Sequence, residues 1–73
     1  MLRIENVRFN DGAGNAVVDI QVSTAEELPA KGDVIGYNVK INAGSIAQVI
    51  QSGTFYTLDD NGTWYDSDGN AAD

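Results

Sequence analysis

A break of Asp, Asn and Gly residues between two aromatic segments is the feature that most constrains how this chain folds. The arms on either side, residues 55–58 and 63–66, hold four of the six aromatic side chains. Aromatic and β-branched residues favour strands, whereas Asp, Asn and Gly favour tight turns. The pattern predicts a β-hairpin over residues 55–66.

Two turns fit this hairpin. A two-residue type I′ turn on Asn61-Gly62 places Leu58 opposite Tyr65. A three-residue loop over residues 60–62, with its glycine in the left-handed region as a bulge, places Leu58 opposite Trp64. We prefer the second turn because it gathers large side chains on one face, where cross-strand pairing fixes the register.

The two faces of the hairpin differ in this register. Residues Tyr56, Leu58 and Trp64, with Gly62 closing the turn, form the packing side. Residues Phe55, Thr57, Thr63 and Tyr65 share the opposite side. Because large aromatic side chains are usually buried, we predict core on both sides. The alternative is that the second side is an exposed contact surface.

The rest of the chain also has the pattern of short strands. Strands are predicted at residues 2–9, 16–22, 34–41 and 46–51, with a bulge near Glu5-Asn6 and one short helical turn near residues 24–28. About six strands separated by Gly, Asn and Asp turns predict an all-β fold, a small antiparallel sandwich or barrel. Residues 1–66 are predicted to form a single β domain and residues 67–73 a flexible acidic tail.

Two local details follow from the same patterns. In the third strand, alternation places Tyr37, Val39 and Ile41 on one face. Ser23 or Thr24 is followed three residues later by a glutamate, which is typical of a capping box at a helix start.

Length and composition favour association with another protein. The chain has 73 residues with no cysteine or histidine, so neither a disulfide nor a thiolate or imidazole metal site can stabilise it. A domain of this size buries only about 60% of its unfolded surface. Binding to itself or to a larger assembly is a common source of the missing stability.

The net charge of −7 excludes some partners. All four basic residues lie within the first 40 positions: Arg3, Arg8, Lys31 and Lys40. The part of the chain after Lys40 contains five acidic residues and no basic residue. Such a surface repels phosphate, so we expect neither nucleic acid nor a membrane as partner. With no signal-peptide pattern at its start, the chain is expected to be made in the cytoplasm.

Catalytic and metal-binding patterns are weak. Without histidine or cysteine, an activated nucleophile would need a carboxylate pair or a Ser–Lys pair, and Asp59-Asp60 lies at a solvated turn tip. Aligned with a calcium loop, Gly62 leaves Thr57 where a carboxylate is required. We therefore predict no enzyme activity, no cofactor and no metal. Tyr56, Trp64 and Tyr65 leave open an aromatic platform for a sugar, although burial is the commoner fate of such side chains.

Several segments resemble a module of known proteins. They are the acidic "EELP" turn within residues 23–29, the strand start Gly44-Ser45-Ile46-Ala47, and Tyr56-Thr57-Leu58 followed by Gly62-Thr63-Trp64. In this order they resemble a small β module of structural proteins of tailed bacteriophages and prophages. The resemblance covers residues 22–64 with gaps. It implies a head-fibre, decoration or tail-associated component, often multimeric, in which the Tyr and Trp are packing residues.

The leading hypothesis is therefore a non-enzymatic virion structural protein that docks on other virion proteins or self-associates. Its expected contact residues are Phe55, Tyr65, Ile46, Gln48 and Ile50. The alternatives are an acidic inhibitor that mimics nucleic acid and a small carbohydrate-binding module.

Overall fold

In the computed structural model, which describes residues 1–72, the chain forms one open sheet of mixed direction. Seven strands occur in this part of the chain: β1 (Leu2–Asn10), β2 (Asn15–Val22), β3 (Val34–Gly36), β4 (Val39–Ile41), β5 (Ile46–Val49), β6 (Thr54–Leu58) and β7 (Trp64–Asp66). A single 3-10 turn, Ala25–Glu27, lies among these described residues. The predicted all-β class is confirmed. The arrangement differs in detail, because the strands form one open mixed sheet rather than an antiparallel sandwich or barrel.

Strand β2 is the centre of the sheet. From Ala16 to Val22 it pairs antiparallel with β1 on one edge. Its other edge pairs in parallel with two strands in succession, first β4 at Asn15 and Ala16 and then β5 from Asp19 to Val22. The predicted alternation in β2 is confirmed, since Val18, Ile20 and Val22 are buried.

Ser45 joins the two halves of that second edge. Between β4 and β5 the chain turns away from β2, which leaves the Val18 amide without a strand partner there. The Ser45 hydroxyl oxygen accepts this N–H at 3.0 Å, and the hydroxyl donates to the Asn42 carbonyl at 2.7 Å. Ser45 is fully buried. One side chain therefore replaces a ladder hydrogen bond that the sheet lacks at this point.

The core lies on one side of the sheet. It contains the buried side chains Ala16, Val18, Ile20, Val22, Val39, Ile41, Ala47, Val49, Leu58 and Trp64. Ala25 and Leu28, from the connection between β2 and β3, pack against it. The same connection accepts a hydrogen bond from the Trp64 indole, whose Nε1 lies 2.8 Å from the Pro29 carbonyl oxygen. The connection therefore covers the core side of the sheet.

The predicted hairpin register is confirmed. Leu58 pairs with Trp64, and Thr57 with Tyr65. The Asp59 amide donates to the Thr63 carbonyl at 2.9 Å. Gly62 has φ of +87°, the left-handed conformation that closes a three-residue loop.

The predicted strand over residues 34–41 is wrong, because the chain folds there into a hairpin of two short strands. Gly36 pairs with Val39, and Tyr37-Asn38 forms the turn. Asn38 has φ of +55°, a conformation that asparagine tolerates better than most residues. Tyr37 is consequently 100% exposed and does not share the buried face of Val39 and Ile41.

Three smaller predictions have clear outcomes. The bulge near Glu5-Asn6 is confirmed as a register shift between Ile4 and Asn6, and a second shift separates Val7 from Phe9. The fourth strand ends at Val49, so Ile50 lies in a turn. The helical turn begins after Thr24, where the Glu27 carboxylate accepts the Ser23 and Thr24 amides at 2.8 and 3.1 Å.

One turn design occurs three times, at residues 11–15, 59–63 and 66–70. In each, an aspartate amide donates to the carbonyl four residues later at 2.9–3.1 Å. The carboxylate of the same aspartate accepts the amides two and four residues later at 2.7–3.2 Å. The fourth residue is a glycine with φ between +83° and +100°. In the first turn the Asn15 side chain also donates to Asp11, which with the Ala13 amide lowers the pKa of that carboxyl below 3.8.

Because of the third of these turns, residues 67–72 are folded differently from the prediction. They were predicted as a flexible tail, but the described part folds back along β7. Ala71 pairs with Tyr65, and the Ala72 amide donates to the Trp64 carbonyl at 2.8 Å. Ala72 also packs against the core. Asp73, the last residue of the predicted tail, lies outside the described residues.

The turn design makes a prediction about two adjacent aspartates. We expect Asp59→Ala to lower the free energy of unfolding by about 1–2 kcal/mol, because two turn amides lose their carboxylate acceptor. Asp60→Ala removes the same charge one residue away. The backbone carbonyl of residue 60, which accepts a hydrogen bond from the Lys31 ammonium at 2.8 Å, is retained in this variant. Urea unfolding followed by Trp64 fluorescence compares the two variants, and equal losses would contradict the role given to Asp59.

Candidate functional site

The side of the sheet opposite the core is a candidate contact surface, which we call the outer face. Cross-strand pairing arranges it in two rows of side chains. One row contains Arg3, Gln21, Gln48 and Phe55, and the other Asp19, Ile46, Thr57 and Tyr65. The same alternation adds Phe9 with Val17 and Asn15 with Lys40. Glu5 and Arg8 lie at the two bulges of β1. Within residues 1–72, no segment packs over this face in the way that the β2–β3 connection covers the core.

The structure brings most of the predicted contact residues together here. Ile46, Gln48, Phe55 and Tyr65 lie on neighbouring strands of the outer face. Ile50 lies apart, half-exposed in the turn after β5. The predicted core on both sides of the hairpin is wrong, since Phe55 is 56% and Tyr65 38% exposed. The alternative, an exposed second side, is what the fold produces, because the single sheet has no second layer to cover it.

A shallow open groove runs along the outer face. Its volume is about 410 Å³, and it is lined chiefly by Glu5, Asp19, Gln21, Ile46, Gln48 and Phe55. The floor combines apolar side chains with two amides. Such a mixture suits contact with another molecule, since the aromatic ring supplies area and the amides supply hydrogen bonds.

Two ion pairs lie on the outer face. Arg8 donates from Nε to the Asp19 carboxylate at 2.8 Å and from Nη2 to the Gly44 carbonyl at 2.6 Å. Arg3 lies 3.5 Å from the Glu5 carboxylate. Two guanidinium groups therefore balance two carboxylates. Between the pairs, the Gln21 amide donates to the Gln48 amide oxygen at 3.0 Å.

The predicted sugar platform is not formed by its three aromatic residues. Trp64 is only 6% exposed and its indole N–H is bonded to Pro29. Tyr56 lies on the core side with Trp64, whereas Tyr65 lies on the outer face. The three rings are therefore divided between opposite sides of the sheet and cannot stack together on one sugar.

Several residues of the outer face were not predicted as site residues. Among them are Glu5, Arg8, Asp19 and Gln21. The alternation of β2 placed Asp19 and Gln21 opposite its buried valines and isoleucine, so their exposure was visible in the sequence. Their proximity to Ile46 and Gln48 was not, because it depends on parallel pairing across 27 residues.

Metal-binding clusters and membrane-spanning helices are two further kinds of functional feature that a chain can have. Among residues 1–72, no three acidic side chains are grouped closely enough to hold a metal ion. None of the helical structure in that range has the length and apolar character needed to cross a bilayer.

The chain was compared with known protein families, curated proteins and solved structures. No protein-family model, no curated protein and no solved structure matches this chain. The functional argument therefore depends on the outer face and on the motifs of the sequence.

Proposed function

We propose that this chain is a non-enzymatic structural protein of a tailed bacteriophage or prophage, which docks on other virion proteins through its outer face. The proposal combines the resemblance of residues 22–64 with the presence of an uncovered sheet face. It places the protein in the host cytoplasm when made and on the particle after assembly.

The observation that carries the proposal is the exposure of Phe55 in the middle of a sheet. Its ring stands beside Ile46 and Gln48 on a face with paired charges and free apolar area. Exposed apolar patches rimmed by polar groups mark interaction sites, and aromatic residues supply much of the binding energy at protein interfaces. An enzyme would need an enclosed site with tuned acids or bases, and the groove here is shallow and open.

The test is incorporation into particles. A tagged copy is expressed during growth of the phage or induction of the prophage that encodes the chain, and purified particles are probed for the tag. We expect the protein to sediment with particles at a fixed ratio to the major capsid protein. Absence from particles washed in high salt would overturn the proposal.

The acidic-inhibitor alternative has less support. A mimic of nucleic acid needs carboxylates displayed at regular spacing. In this chain Asp11, Asp59 and Asp66 each bind the amides of their own turn, and Asp19 is paired with Arg8.

A further inference from the structure

We infer that the partner covering the outer face is a second copy of this chain, bound across a two-fold axis with the two sheets stacked face to face. This inference deepens the proposed function by naming an occupant of the outer face, and it rests on that face being a contact surface. The dimer, rather than the single chain, is then the unit that joins the particle.

The distribution of charge favours a second copy. The chain has 4 basic and 11 acidic residues. On the outer face Arg3 and Arg8 pair with Glu5 and Asp19, and Lys40 adds one further cation, so the face carries little net charge. The net charge of −7 is therefore carried by other residues, among them the aspartates of the three repeated turns. Two copies that meet through their outer faces bring together surfaces of small net charge and keep these acidic turns at the periphery.

The chemistry of the outer face is self-complementary, as a two-fold contact requires. In such a contact, the same patch of each copy faces its counterpart, so every group on the face must find a suitable partner within that same patch. The Gln21 and Gln48 amides offer both donors and acceptors, and the Arg8–Asp19 pair offers both charges. Phe55 and Ile46 supply apolar area that such a contact would bury.

The dimensions also fit. The molecule measures 32 × 24 × 17 Å, and its shortest dimension is that expected across a single sheet and its cover. A face of that length and breadth is of the order of the ~800 Å² per partner that specific interfaces bury. Stacked sheets pack about 10 Å apart with interdigitated side chains, so the dimer would be a sandwich assembled from two chains.

The first experiment measures mass in solution. Size-exclusion chromatography with light scattering, run on the full chain over a range of concentrations, is expected to give twice the monomer mass of 7.8 kDa at the upper end. Phe55→Glu places a charge at the centre of the face and is expected to weaken the dimer at least 100-fold. Phe55→Thr, which keeps a strand-forming residue and adds no charge, is expected to weaken it about 10-fold.

The matched control is Tyr37→Glu. It also replaces an exposed aromatic residue by glutamate, but in the turn between β3 and β4. We expect it to dimerise like the parent chain. Circular dichroism verifies that each variant is folded. A parent chain that stays monomeric at millimolar concentration, or a Tyr37→Glu chain that loses the dimer as Phe55→Glu does, would overturn the inference.

Salt provides an independent readout. Because each copy has a net charge of −7, repulsion between whole molecules opposes association, and salt screens it. Dimerisation is therefore expected to strengthen several-fold between 20 and 500 mM NaCl, as an order-of-magnitude effect of screening. Weakening over the same range would mean that charge pairs rather than apolar contacts hold the copies together, and it would count against this interface.

Particle incorporation separates this inference from the proposed function. If the parent chain is monomeric in solution but present on particles, the second-copy inference fails and the proposed function stands. If it dimerises through Phe55 but is absent from particles, the proposed function fails and the dimer stands.

Discussion

Replacing Trp64 with alanine is expected to remove a large share of the stability of the folded chain. Trp64 belongs to the core, pairs with Leu58 across the hairpin, and bonds the connection that covers the core. Truncation of a buried aromatic residue to alanine costs about 3–5 kcal/mol. At about 0.05–0.15 kcal/mol per residue, a domain of this size has a total of roughly 4–11 kcal/mol. The single change therefore removes a large share of the total.

Two comparison variants divide this effect into its parts. Trp64→Phe keeps an aromatic ring but loses the N–H that Pro29 accepts, and we expect a smaller loss of about 1–3 kcal/mol. Tyr37→Ala removes an aromatic residue that is fully exposed, so its effect is expected within about 0.5 kcal/mol of zero. Urea unfolding is followed by circular dichroism, because the Trp64 variants lose the only tryptophan. If Trp64→Ala costs no more than Tyr37→Ala, the core described above is wrong.

The second large effect is expected at Ser45. Ser45→Ala leaves the Val18 amide without an acceptor and removes a donor from the Asn42 carbonyl, in a place that water does not reach. A buried polar group left without its partner costs about 1–3 kcal/mol. Because the Asn42 carbonyl keeps the Ser45 backbone amide as a donor, we expect a loss of about 1–3 kcal/mol, large for the removal of one oxygen atom.

Ser52→Ala is the matched control for this change. Ser52 is exposed in the turn between β5 and β6, where its hydroxyl bonds only its neighbour Thr54. Its loss is expected to cost less than about 0.5 kcal/mol. Hydrogen exchange by NMR adds a local readout, since the Val18 amide should exchange much faster in Ser45→Ala than in the parent. Unchanged exchange at Val18 would show that Ser45 does not complete the edge of β2.

Local features of this fold were predictable from the sequence, and the long-range ones were not. The hairpin register followed from Asp60-Asn61-Gly62 and from the need to pair large side chains. The same signal, an aspartate with a glycine three residues on, is present at Asp66 and Gly69 and would have predicted the third turn. The parallel pairing of β2 with β5 has no local signal in the sequence, because it joins residues 27 positions apart.

The candidate contact surface was likewise predictable only in part. The exposure of one side of residues 55–65 was considered from the sequence but was given second place to burial. That ranking assumed a second layer of sheet, and the structure has one layer. Tyr37 shows the same limit, since only the left-handed backbone of Asn38 reveals that the strand turns there.

The interrupted second edge of β2 has a consequence for the chain as it leaves the ribosome. The β1–β2 hairpin emerges before β5, with an apolar strand whose edge along Asp19 to Val22 stays unpaired until Ile46 to Val49 have been synthesised. During that interval the bare edge can recruit a strand from another nascent copy. We expect ribosome-bound fragments that end before β5 to be bound by chaperones, and fragments that include it to be released.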